Sequence, residues 1–217
     1  MINANNVTAT ILVNLTLYFN ELSISSDTPR LKSVLKKFIQ KKFTTIFNYI
    51  SQTVKYMQDI SINSTIVIHK NTRKHIKVFW DAIKPHDLAH IPDGFKNNIL
   101  WNVAHCLVTH QLLIYQLSNS KMNIPEKFIE KYRKGTKPVN DEIKEEDVNI
   151  INNNLLSQSE KLAKDYALLS QKQFKEYETS YGVKLNSVED AISFNNVHEA
   201  LHLGIIMSQA KYFRETS

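Results

Sequence analysis

The chain has 217 residues, of which 42% are hydrophobic and 22% charged, with four glycines, five prolines and a single cysteine, Cys106. That length supports one well-buried core, and the scarcity of glycine and proline argues for long helices over a loop-rich β-protein. The lone cysteine excludes an internal disulfide and any multi-cysteine zinc site, as suits a reducing, cytoplasmic setting.

The formal charge of +6 is unevenly spread. Residues 1–57 carry seven basic side chains (Arg30, Lys32, Lys36, Lys37, Lys41, Lys42, Lys55) against Glu21 and Asp27, which leaves 20 basic and 19 acidic residues for the remainder. The body is therefore near neutral, and no nucleic-acid partner is expected for it. The run "ATILVNLTLYF" is too short for a membrane span, is interrupted by Asn14 and Thr16, and has no preceding basic residue as a signal peptide would. No membrane partner is expected either.

Residues 1–57 form a basic N-terminal extension. Within it "RLKSVLKKFIQKKFTTIFNYI" spaces Leu31, Leu35, Phe38, Ile39 and Phe43 as an amphipathic helix. Two readings stand: a surface-binding arm, or a poorly ordered stretch upstream of a true start at Met57. From residue 58 the pattern is more regular. Ile62, Ile66, His69, Ile76, Phe79, Trp80 and Ile83 share one side of a first bundle helix that Pro85 ends. "KPHDLAHIPDGFKNN" is a broken connection, with Pro92 and Gly94 as breakers. A second helix carries Ile99, Leu100, Val103, Leu107, Ile114 and Leu117, and "PEKFIEKYRKGTKP" adds a short helical piece. A third helix is expected from about Asp141 to Leu169, its first turns rich in acids that suit the helix dipole. After a loop around Gly182, Ser187 and Asp190 open the last helix as a capping box, and that helix runs to about Phe213. Four long helices and no strand signal predict an all-α, up-down four-helix bundle over residues 58–217.

The chemistry-bearing stretch is "NNVHEALHLGII", which contains H-E-x-x-H. His198 and His202, four apart on a helix, put two imidazoles on one face where they can share a metal. Ile192, Val197, Leu201, Ile205 and Ile206 surround the pair in sequence, so at least one of the two must approach the core, and Gly204 allows close packing or access. A zinc protease would use the Glu as general base and take a third ligand from downstream. Only 15 residues follow His202, with no His and no Asp among them, so a third ligand has to come from upstream. His105, mid-helix among apolar residues, is the best candidate; a core histidine satisfied by a polar partner is the alternative. Cys106 lies about 100° around the helix from His105 and should not join it. His69 and His75 point to different sides of their helix, and His86 and His90 have ligand spacing but sit in the broken segment. His110, five after His105, faces elsewhere and is expected in solvent.

Taken together, "NNILWNVAHCLVTHQLL", "EKYRKGTKP" and "SVEDAISFNNVHEALHLGII" resemble the DinB-like superfamily of bacterial metal-binding four-helix bundles, over residues 58–217. The resemblance implies a divalent metal, zinc or nickel, held by His105, His198 and His202 with open positions for water or substrate. It further implies low-molecular-weight-thiol S-transferase chemistry on a small-molecule substrate, with the thiol as cosubstrate, and a homodimer. A metal-dependent hydrolase and a non-catalytic metal-binding bundle are the alternatives. Glu199 is a candidate second-shell acceptor or proton carrier beside His198; a plain inter-helix glutamate is the alternative. Tyr177 and Tyr181 either line a pocket mouth or are ordinary loop aromatics.

Overall fold

A computed structural model describes the backbone of residues 29–138 and 143–216, and the side chains of those segments from residue 37 to 214 except Gln58. The apolar run at residues 9–19, the side chains of Leu31 and Leu35, and the expected helix start at Asp141 lie outside the described residues. The chain divides into two compact units, Met1–Ser61 and Ile62–Ser217.

The described elements are seven helices and one two-stranded ladder: α1 (Pro29–Ala82), α2 (Pro85–Ala89), α3 (Ile99–His110), α4 (Glu126–Tyr132), α5 (Glu145–Asn154), α6 (Ser157–Leu169), β1 (Tyr177–Glu178), β2 (Lys184–Leu185) and α7 (Val188–Thr216). The second unit is an all-α helical bundle, with α3 as its centre. Every residue from Ile99 to Val108 is buried, and α3 packs against α2, α4, α5 and α7. Asn98 starts α3: its Oδ1 accepts from the Trp101 N–H at 2.8 Å, and its Nδ2 donates to the Ala89 carbonyl. That side chain both caps the helix and ties down the connection before it.

Three local features depart from expectation. The second helix does not run on as a regular α-helix past His110; Gln111–Gln116 winds as a π-helical turn, with the Leu117 N–H reaching the Leu112 carbonyl. The wider turn lets Gln111, Leu113, Ile114 and Tyr115 all face inward. The expected third helix is two helices. In "NNNLLS" the Asn154 and Ser157 side chains donate to the carbonyls of Ile150 and Asn153, competing with the backbone ladder where the break falls. The loop around Gly182 pairs Tyr177 with Leu185 and Glu178 with Lys184, and Gly182 takes the left-handed conformation at φ 76° that closes the hairpin.

The Ser187 half of the capping box forms as the sequence predicts, while the Asp190 side chain reaches one residue further back than the motif requires. The Asp190 N–H donates to Ser187 Oγ at 3.1 Å, while the Asp190 carboxylate accepts from the Asn186 N–H at 3.0 Å. This fixes where α7 starts, and therefore which of its faces turns inward. That face passes through Asn195, Glu199, Ile206 and Gln209; Val197 and Leu201, expected near the core, are 47% and 57% exposed. Gly204 meets no close neighbour, so packing does not require a glycine there.

Candidate metal centre

The fold gathers His105 from α3 and His198 and His202 from α7, their ligand atoms within 4.8 Å of one another. His105 Nε2 and His198 Nε2 are 3.2 Å apart. The ring centroids are separated by 4.6–5.1 Å and each pair of planes is inclined by 54–55°, so the three rings face one another like the blades of a propeller.

Two of the rings are oriented by partners that leave no freedom of tautomer. His105 Nδ1 is 2.6 Å from the Tyr132 carbonyl oxygen. A carbonyl only accepts, so Nδ1 carries the proton and Nε2 presents a lone pair. His202 Nδ1 is 2.8 Å from Asn102 Oδ1. The amide cannot be the other way round, because Asn102 Nδ2 donates to the Asn98 carbonyl at 2.9 Å. Buried Gln209 accepts from the same Nδ2 at 3.1 Å and is itself anchored by donating to the Asn97 carbonyl. Trp101 covers His105 from above, with ring centroids 4.5 Å apart and planes 10° apart.

Burial keeps the three imidazoles neutral. It pushes His105 below its ordinary range against the opposing pull of the Tyr132 hydrogen bond. Burial, then the charge of His105, brings His198 down to about 4; burial, then His198 and His105, brings His202 down to about 3. Neutral imidazoles with free lone pairs are the protonation state that ligates a divalent ion.

Glu199 is fully buried and takes no part in this trio. Its Oε2 accepts from Arg73 Nε at 2.5 Å, and its Oε1 from Arg73 Nη2 at 2.7 Å, Asn195 Nδ2 at 2.8 Å and His69 Nε2 at 3.2 Å. Burial alone would raise its pKa; the Arg73 guanidinium, with His69, outweighs that and holds the carboxylate well below its ordinary range. Arg73 also donates to the carbonyls of Cys106 and Leu155, so one side chain of α1 reaches α3, α7 and the end of α5.

His110 is completely buried, contrary to its expected place in solvent, because α3 is covered on every side, and it stacks on His69 at 5.0 Å with planes 22° apart. His69, His110 and Glu199 thus form a second group whose ligand atoms lie within 4.8 Å. His75, His86 and His90 are exposed, and Cys106 is buried with its thiol pushed up by burial. Tyr177 and Tyr181 are 40% and 69% exposed, Tyr181 lying against Phe194.

A cleft of about 410 Å³ is bordered by Trp101, Tyr132, Asn98, Thr136, Lys131 and Lys137. It abuts the trio through Trp101 and Tyr132, and none of the three histidines lines it.

The profile of the DinB superfamily matches residues 69–206. The chain belongs to the DinB superfamily. The match begins at His69 on α1 and takes in all three histidines of the trio as well as Arg73, His110 and Glu199. A search of curated proteins finds no match.

The sequence alone drew attention to His105, His198, His202 and Glu199, but not to Asn102, Arg73 or the carbonyl of Tyr132. Asn102 had a signal: it sits three residues before His105 on a helix otherwise buried and apolar, where an amide needs a partner. The Tyr132 carbonyl had none, since it depends on where α4 docks.

Proposed function

We propose that this DinB-superfamily chain is a metal-dependent enzyme whose divalent ion, zinc or nickel, is held by His105, His198 and His202, and that it transfers a low-molecular-weight thiol to a small electrophilic substrate. What supports the metal reading most is the orientation of the donors: Tyr132 and Asn102 fix the proton on Nδ1 of His105 and His202, leaving Nε2 of each as the bare nitrogen, that of His105 3.2 Å from His198 Nε2. Three neutral imidazoles from two helices, with no fourth protein ligand beside them among the described residues, suit a catalytic ion with open positions more than a closed structural one.

The second group suits an ion less well. An imidazole ligates along its ring plane, and the nearly parallel planes of His69 and His110 do not converge on one point. The Glu199 charge is also already met by Arg73. Glu199 is accordingly a positioning residue: with Arg73 it holds α7 against α1 and so sets where His198 stands.

A bound divalent ion would supply Lewis acidity, lowering the pKa of a thiol or water enough to make it a nucleophile at neutral pH. In the transfer, the thiol sulfur forms the new bond to the electrophilic centre, the bond to the leaving group breaks, and the thiol proton passes to solvent. Trp101, stacked on His105, and Tyr132, whose carbonyl accepts from it, cover one side of that ring. Hydrolysis, with water in place of the thiol, is the second reading of the same donor set. A homodimer belongs to this reading through the family resemblance.

The test is elemental analysis of the purified full chain beside a His105→Ala, His198→Ala double variant. About one equivalent of metal is expected in the parent and none in the variant, followed by S-transfer with the parent alone in a screen of thiols and electrophiles. No metal in the parent after incubation with zinc or nickel would overturn the proposal. Metal without turnover of any thiol would turn the search to hydrolysis.

A further inference from the structure

The stretch from residue 37 to residue 60, in the first unit, is separate in character from the bundle. It is continuous helix, and its large apolar side chains are in water: Phe38 is 58% exposed, Ile46 57%, Tyr49 71%, Ile50 48%, Met57 62% and Ile60 46%. At about 100° per residue, every one of these and Tyr56 falls within one half of the helix circumference, with Phe47, 37% exposed, at the edge of that half. The opposite half holds Lys37, Lys41, Thr44, Asn48, Gln52 and Lys55. Lys42 is the one charge on the apolar side, and its ammonium sits over the Phe38 ring, 5.7 Å from the centroid, as a long side chain does when its stem lies on apolar surface. Against the four lysines of this stretch there is one acid, Asp59.

We propose that this helix lies along an anionic lipid surface, with its apolar half at the headgroup–acyl boundary and its lysines among the phosphates. Six turns of exposed Phe, Ile, Tyr and Met opposite a basic face are the two elements such a surface rewards together: apolar area to bury and positive charge to neutralise. No described helix is long and apolar enough to cross a membrane, so the helix lies in the interface rather than through it. A nucleic acid would satisfy the lysines and leave the apolar half in water. A second copy would cover the apolar half but set two lysine-rich, nearly acid-free helices side by side. The assignment replaces the sequence-based expectation of no membrane partner, and it is independent of the metal centre.

The experiment is co-sedimentation of the full-length protein with vesicles of phosphatidylcholine alone and of phosphatidylcholine containing phosphatidylglycerol, at low and high salt. Two variants accompany it: Ile46→Asp, Ile50→Asp on the apolar half, and Lys41→Gln, Lys55→Gln on the basic half. Binding should be about tenfold or more tighter to the anionic vesicles and weaken with salt. The first variant should abolish it, and the second should weaken it about tenfold or more on anionic vesicles. Far-UV circular dichroism and metal content, unchanged in both variants, show that the bundle remains folded. No vesicle binding overturns the proposal. So does a dimer that the Ile46→Asp, Ile50→Asp variant converts to monomer in the absence of lipid, since the apolar half is then covered by a second copy. So, too, does salt-sensitive binding to duplex DNA that survives the aspartates in a protein indifferent to vesicles.

Discussion

Replacing Asn102 with leucine tests whether the trio is built to bind metal or is merely packed. Asn102 is fully buried, and its Oδ1 is the acceptor that keeps the proton of His202 on Nδ1. Without it the ring is free to move its proton to Nε2, the atom that must be bare to ligate. Loss of such an outer partner weakens metal binding by about 10- to 100-fold, or about 1.4–2.7 kcal/mol. The same change removes the donor to Gln209 Oε1 and strands that buried acceptor. The cost there is about 1–3 kcal/mol of stability, which for a chain of this size lowers Tm by about 2–12 °C. Zinc affinity would be read by competition with a chromogenic chelator, at a temperature where every variant is folded, with the metal-free Tm measured separately. Asn102→Asp is the control: it keeps an acceptor toward His202 while losing the donors to Gln209 and Asn98, so it should lose stability yet hold zinc within a few-fold of the parent. Equal zinc affinity in the parent and Asn102→Leu would refute the reasoning. So would an Asn102→Asp variant as weak as Asn102→Leu, since the defect would then be one of packing.

Protons should compete poorly for the trio. His198 and His202 titrate at about 4 and about 3 when folded, below their ordinary value of about 6.5 when unfolded, so zinc bound at pH 7 should be retained to about pH 5 and released on further acidification. The same two shifts destabilise the metal-free protein as pH falls from about 6.5 toward 3, because the unfolded chain takes up protons first; thermal melts across that window check the sign. Arg73→Met leaves Glu199 buried without its guanidinium and should cost about 3–5 kcal/mol, whereas Arg73→Met with Glu199→Leu should cost clearly less, as measured by thermal unfolding of all three proteins. Cys106, with no exposed surface and its thiol pushed up by burial, should resist iodoacetamide in the native protein and react fully once unfolded, by mass spectrometry.

Where burial follows an apolar stripe, the sequence announced it. Ile99, Leu100, Val103 and Leu107, read as the stripe of the second helix, are all inside on α3. The stripe on α1 was legible too, in more detail than its apolar members suggest: Ile62, Ile66, His69, Arg73, Ile76 and Trp80 alternate in steps of four and three, and all are buried. A histidine and an arginine in register with that stripe were the available sign of an internal ion pair. On α7 the apolar period misleads, because the inward face carries Asn195, Glu199 and Gln209 while Val197 and Leu201 face water. Along that seam polar residues with assigned partners alternate with buried Val188, Ala191, Ile192, Ile206, Ala210 and Phe213, so hydropathy alone does not separate the inward face from the outward one. His110 escaped for a different reason: α3 runs through the middle of the bundle and is covered on every side, so a residue turned away from His105 is buried too.

The two histidine groups show why proximity is a weak criterion by itself. Both bring three ligand atoms within the same distance, and they share helix α7, with His198 in one and Glu199 in the other. They differ in what else each donor touches. In the second group the carboxylate has four hydrogen bonds, two of them from the guanidinium, and the rings are stacked, with both His110 nitrogens and His69 Nδ1 buried without a hydrogen-bond partner among the described residues. In the first, the Nδ1 atoms of two rings are held by a carbonyl and an amide oxygen, and the Nε2 of His105 stands 3.2 Å from that of His198 and 3.3 Å from the Thr109 hydroxyl. Successive residues of one helix turn point about 100° apart, so α7 serves both purposes at once. Glu199 fastens it to α1 through Arg73, and that fastening holds His198 and His202 against His105.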